Sequence, residues 1–200
     1  MIAIIDYGMG NLRSVQKALE KSGAQTLITQ KTNDITNAQK VVLPGVGAMQ
    51  PAMEKLQNLG LIDAIKEATE SGKPFLGICL GLQLLFETSF EGGEVKGLGI
   101  IPGTVERFTP ELKVPHMGWN ALDIQASNCP IFEGIPKGTF TYFCHSYYVK
   151  PKDEKVIATK TDYGIMFTSS IWQNNVFGVQ FHPEKSQETG IKILENFTRL

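Results

Sequence analysis

In the first half of the chain, short apolar runs alternate with segments whose apolar residues recur at helical spacing. Residues 2–6 form an apolar strand closed by Tyr7-Gly8-Met9-Gly10. Leu12, Val15 and Leu19 then repeat on one helix face, and Ser22-Gly23 supplies a stop. Residues 26–29 and 40–43 read as strands, the second running into Pro44-Gly45-Val46-Gly47. Residues 48–59 and 61–70 read as helices on either side of Gly60, 75–78 as a strand and 80–87 as a helix. Strands and helices alternating at this length predict right-handed βαβ units around a mostly parallel sheet.

The pattern changes from Gly97 onward. Residues 105–108, 121–124, 139–149, 156–159, 165–171 and 176–181 are short β-type runs separated by turn residues. Lys152-Asp153-Glu154 and Gln173-Asn174-Asn175 read as hairpin connections, and Ile191, Leu194 and Phe197 mark a final helix. The expected fold is α/β, a three-layer sandwich whose mostly parallel central sheet is extended by antiparallel strands. With neither repeats nor a linker, residues 1–200 are expected to form one domain. Gly8-Met9-Gly10-Asn11 lies between a strand and a helix, but Arg13 occupies the place of a third glycine. A tight βα turn capped by Asn11 fits it better than a dinucleotide fingerprint.

Charge narrows the range of partners. The formal net charge is −1, and no basic tract interleaves with aromatics, so neither nucleic acid nor an anionic membrane is expected. The longest apolar stretch, 74–86, is interrupted by Gly and Gln and is too short to span a bilayer. The three cysteines (Cys79, Cys129, Cys144) suggest neither a disulfide framework nor a zinc site. No metal or cofactor is expected. A reducing cytosol fits this cysteine usage, and the first residues lack the basic region of a signal peptide.

One stretch carries chemistry of its own. In Gly77-Ile78-Cys79-Leu80-Gly81 an apolar strand meets a cysteine flanked by glycines at −2 and +2, and a helix-like segment follows. This is the nucleophile-elbow pattern with sulfur in place of a hydroxyl. The glycines admit a strained turn that presents the thiol at a helix N-terminus, where thiolate is favoured. The alternative is a buried structural thiol.

A thiol nucleophile needs a base, and the base an orienting group. His182 ends an apolar strand, and Glu184, two residues on, can reach its imidazole from the same side of an extended chain. Pro183 places the pair at a strand end. His145 is the rival base but has no carboxylate nearby in sequence, and His116 has no catalytic companion and reads as a loop anchor. Cys129 and Cys144 lack an elbow and read as inert. Oxyanion donors are available from the Leu80 N–H and from the Gly45-Val46 backbone.

These motifs together resemble the class I (triad) glutamine amidotransferases. Asp6-Tyr7-Gly8-Met9-Gly10-Asn11-Leu12-Arg13-Ser14-Val15, Pro115-His116-Met117-Gly118-Trp119-Asn120 and His182-Pro183-Glu184-Lys185 are more selective. They are similar to segments of the glutaminase subunits of imidazole glycerol phosphate synthases, and the likeness runs end to end. It implies hydrolysis of glutamine to glutamate and ammonia by Cys79, His182 and Glu184, with Gln83, Ser146, Tyr147 and Glu91 holding the substrate. Ammonia released into neutral water is protonated, so a shielded path to an acceptor is needed. The resemblance implies that a (β/α)₈-barrel cyclase subunit supplies it, with Asn11, Trp119 and Lys185 at the interface. The pair would form imidazole glycerol phosphate and an aminoimidazole carboxamide ribonucleotide in histidine biosynthesis. The alternatives are the glutaminase of another amidotransferase and a stand-alone cysteine amidohydrolase.

Overall fold

A computed structural model describes residues 1–109 and 111–200. The first half builds β1 (Ile2–Ile5), α1 (Leu12–Lys21), β2 (Thr26–Thr29), α2 (Thr32–Asn37), β3 (Lys40–Gly45), α3 (Met49–Asn58), α4 (Ile62–Glu70), β4 (Phe75–Cys79) and α5 (Leu80–Leu84). The strands β5 (Phe86–Ser89), β6 (Val95–Lys96), β7 (Ile101–Arg107), β8 (His116–Ala121), β9 (Asp123–Ile124), β10 (Phe140–His145), β11 (Tyr147–Pro151), β12 (Ile157–Asp162), β13 (Met166–Gln173) and β14 (Val176–Val179) follow. Helix α6 (Gln187–Arg199) comes last.

The large sheet runs β2-β1-β3-β4-β14-β13-β11-β7-β5-β6, with β12 and β9 branching from β13. The five strands from β2 to β14 are mutually parallel, and β13, β11 and β7 continue the sheet antiparallel. Strands β8 and β10 pair separately as a two-stranded sheet. Side chains alternate across the main sheet as the pleat requires. Ala3, Ile5, Val41, Leu43 and Phe75 join a core with α3 and α4, whereas Ile2, Ile4, Val42, Leu76 and Ile78 join a second core with α1 and α6. This is the expected three-layer arrangement.

The expected helix over 80–87 ends at Leu84, and Phe86 opens a strand. The carbonyls of Leu84, Leu85 and Phe86 accept N–H groups from Leu98, Ile101 and Gly99, so chain distant in sequence takes the acceptors that a longer helix would need. The expected strand over 139–149 breaks at Ser146, with β10 pairing to β8 and β11 entering the main sheet. The run expected at 121–124 divides into the end of β8 and the short β9. Helix α2 and strands β5 and β6 have no counterpart in the sequence reading. Of the two expected hairpins, Gln173-Asn174-Asn175 joins the antiparallel neighbours β13 and β14. Lys152-Asp153-Glu154 does not form one, because β11 and β12 are not paired. There the Asp153 side chain accepts the Lys155 N–H and a short 3-10 turn forms instead. Asn11 holds the cap position of α1, but its side chain makes no capping bond; its carbonyl accepts from Ser14 and Val15.

Candidate active site

Three neighbouring parallel strands end at one place. Gly45 at the end of β3 lies in register with Cys79 at the end of β4, and β14 on the other side leads into His182. In an open α/β sheet, the carboxyl ends of the strands are where ligand crevices form.

Cys79 has φ +55°, a conformation that costs a non-glycine residue free energy and persists only where its surroundings impose it. The flanking glycines impose it by close approach. A Cβ on Gly81 would lie 1.8 Å from the Leu43 carbonyl oxygen, and one on Gly77 would lie 2.7 Å from the Gly81 oxygen. The strain therefore sits in the cysteine, and the glycines let β3, β4 and α5 close around it. Gly45 is equally confined, since a Cβ there would meet the Tyr7 hydroxyl at 2.4 Å.

His182 is buried, and its Nδ1 lies 2.9 Å from Glu184 Oε1. Glu184 reaches it from a 3-10 turn over Pro183–Lys185 rather than from the extended chain expected. The segment is anchored: the His182 N–H donates to the Tyr142 carbonyl at 2.8 Å, and the Ser186 hydroxyl donates to the His182 carbonyl at 2.7 Å. Burial opposes protonation of His182. Hydrogen bonds to Cys79 and Glu184, with the charges of both, overcome this and push the imidazole up to about 10. The imidazole thus shares one cavity wall with the Cys79 sulfur and holds the Glu184 carboxylate on its Nδ1 side.

His145 has no such freedom. Its Nε2 lies 3.0 Å from His116 Nδ1, and its Nδ1 lies 2.8 Å from the Tyr147 carbonyl. Burial, against the raising effect of the Tyr147 carbonyl, pulls His145 down to about 3, and burial pulls His116 down to about 4. Both are neutral buried rings. His116 is a strand residue of β8 stacked on Phe143 and Tyr163, not the loop anchor expected.

A cavity of about 250 Å³ opens at this junction. Val46, Cys79, Leu80, Gln83, Glu91, Ser146, Tyr147, His182 and Lys185 line it, together with Gly47, Pro115, Cys144 and His145. Glu184 stands behind His182, and Gly45 lies beside the wall that Val46 and Gly47 form. Asn11 and Trp119 are exposed and lie outside it; Trp119 projects from β8. Glu91 Oε2 accepts the Met49 N–H at 2.7 Å, so one of its oxygens is engaged at the start of α3. Gln83 Nε2 donates to the Tyr147 carbonyl and to Gln180 Oε1, both at 3.0 Å. Gln180, whose Nε2 lies 3.7 Å from Cys79 Sγ, escaped the sequence reading. Its signal was a lone amide in the apolar run before His182. Tyr7 escaped it as well: its buried hydroxyl has no partner, and its ionisation is pushed up by burial and by the charge of Cys79. A larger hollow of about 650 Å³ lies beside Cys129, whose thiol burial pushes up to about 12, leaving it an inert wall.

A thiol, an imidazole and a carboxylate grouped at one cavity are the equipment of acyl transfer through a thioester. Fold and constellation together fit a triad amidotransferase. The class-I glutamine amidotransferase family profile matches residues 3–200, and the chain belongs to that family. It is 55% identical over 199 residues to imidazole glycerol phosphate synthase subunit HisH of Moorella thermoacetica, covering 100% of this chain and 94% of that protein. It is 54% identical over 197 residues to the subunit of the same name from Aquifex aeolicus, covering 98% and 95%. Among solved structures, a glutamine amidotransferase matches with a TM-score of 0.77 at 18% identity, over 99% of this chain and 100% of that one. PurLQS from Thermotoga maritima matches with 0.74 at 18%, over 99% and 97%, and both share the fold.

Proposed function

We propose that this chain, acting as one domain, is the glutaminase subunit of an imidazole glycerol phosphate synthase. The observation that carries the reading is the convergence of Cys79 and His182 on one cavity at the carboxyl ends of β4 and β14, with Glu184 held 2.9 Å from His182 Nδ1. His182 takes the Cys79 proton while Glu184 fixes its Nδ1–H. The sulfur attacks the glutamine carboxamide, and the N–H groups of Leu80 and of the Gly45-Val46 peptide hold the oxyanion; one such donor is worth about 3 kcal/mol of barrier. Imidazolium then protonates the departing ammonia, and the neutral ring activates water against the γ-glutamyl thioester. Gln83, Glu91 and the backbone at Ser146 and Tyr147 seat the amino acid.

The partner reading rests on the outer face of the β8–β10 pair. Met117, Trp119 and Phe140 are exposed there, and the rings of Trp119 and Tyr142 lie 6.1 Å apart. Lys185 Nζ stands 5.8 Å from the Tyr142 ring and also lines the cavity, so an apolar face begins at the cavity mouth. Such a face suits a second subunit that receives ammonia away from water. We assign that place to a (β/α)₈-barrel cyclase, with Trp119, Lys185 and Asn11 in contact. Among the described residues no helix is long and apolar enough to cross a membrane, and the cytosol is the proposed compartment. Co-purification with the cyclase and a glutamine-dependent assay of imidazole glycerol phosphate test the reading. Glutamate release without product formation in the reconstituted pair would refute it.

A further inference from the structure

Gln180 is fully buried at the end of β14 although its neighbours are apolar. An amide placed there is costly unless both of its ends are bonded. The surrounding bonds fix which way it faces. Gln83 Nε2 donates to the Tyr147 carbonyl, an obligate acceptor, so the atom beside Gln180 is a donor and must meet the Gln180 oxygen. The Gln180 nitrogen is thereby turned toward Cys79 Sγ, 3.7 Å away. The Tyr147 carbonyl is itself held by His145 Nδ1–H, and His145 Nε2 accepts from His116 Nδ1–H. The amide cannot turn over without breaking this chain. A thiol here can donate to the Cys144 carbonyl at 4.0 Å and accepts only weakly, whereas a thiolate accepts strongly, so the Gln180 donor favours the ionised form.

We propose that Gln180 is a positioning residue: its side-chain N–H holds the Cys79 sulfur as thiolate against His182, and its oxygen, anchored by Gln83, locks the amide in that orientation. This rests on Cys79 being the nucleophile, which loss of glutamine hydrolysis in Cys79→Ala checks separately. In the full-length chain, Gln180→Met keeps the volume without the donor, and Gln180→Glu replaces the donor with an oxygen. The readout is the rate of iodoacetamide alkylation at Cys79, followed by peptide mass across pH. Near neutrality both variants should react about fivefold more slowly than wild type, and the ratio should approach unity in alkali, where the thiol ionises unaided. A purely structural role would alter melting temperature and leave the ratio flat with pH. A flat ratio, or a near-neutral rate within about twofold of wild type, overturns the proposal. Should neither variant fold, the Gln180 side-chain amide resonance of wild type decides. It should move as Cys79 ionises and cease to move in Cys79→Ala; an unmoved resonance in wild type overturns the proposal.

Discussion

Replacing Glu184 with Gln keeps an oxygen for His182 Nδ1–H, removes the charge and turns the buried, unpartnered Oε2 into an amide nitrogen, whose cost does not vary with pH. In the folded chain burial disfavours the imidazolium, but Cys79 and Glu184 outweigh it and raise His182 from 6.5 to about 10. At about 1.4 kcal/mol per pH unit, that displacement favours the protonated folded state by on the order of 5 kcal/mol. The His182 and Glu184 side chains are only 5% and 2% exposed, so solvent screens the pair little. Cys79 and Glu184 share the effect, and losing the Glu184 charge should remove roughly 1–2 kcal/mol of stability. Because the folded value lies above the unfolded one, this contribution is complete below pH 6.5 and lost as pH rises through about 10. Guanidinium unfolding of wild type and Glu184→Gln across that window is the assay. The gap between the two should be widest at the acid end and narrow toward the alkaline end. A gap that is constant with pH, or grows with alkalinity, would refute the reasoning.

Further expectations follow from the close approaches and the exposed face. Gly81→Ala places a Cβ 1.8 Å from the Leu43 oxygen, so β3 and α5 must separate; a loss of about 3 kcal/mol or more is expected by thermal melting, and a near-wild-type melt would contradict it. Gly45→Ala clashes with the Tyr7 hydroxyl at 2.4 Å, and Tyr7→Phe removes that oxygen. A double-mutant cycle should therefore show a favourable coupling of about 1 kcal/mol or more in stability, and additivity would count against the contact. Trp119→Glu puts a charge on the exposed β8–β10 face; it should leave the melt of the isolated chain unchanged and abolish co-purification with the cyclase. Retained co-purification would move the interface elsewhere.

The parallel half of the fold was legible because β1, β3 and β4 are apolar runs and the longer helices each show one buried stripe, as in α1 with Val15, Ala18 and Leu19. The second half was harder to read. Strands β8 to β11 owe their limits to pairings between segments remote in sequence, and nothing local marks Ser146 as the point where the chain leaves one sheet for another. Short α2 has no apolar stripe beyond Ile35. At the site, Cys79, His182 and Glu184 carried local signals, a glycine-flanked elbow and a histidine followed by Pro and Glu, and the structure brings them together. The His116–His145 pair and the Gln83–Gln180 link had none, because each joins residues from different strands or helices whose meeting depends on sheet order.

Acylation of Cys79 by glutamine is the central step of the proposed chemistry. Rapid acid quench of the chain, paired with the cyclase and turning over glutamine, followed by peptide mass analysis, reads this directly. A γ-glutamyl adduct should appear on the peptide containing Cys79 and vanish in Cys79→Ala along with glutamate release. Glutamine hydrolysis persisting in Cys79→Ala, or an adduct on Cys144 instead, would contradict it.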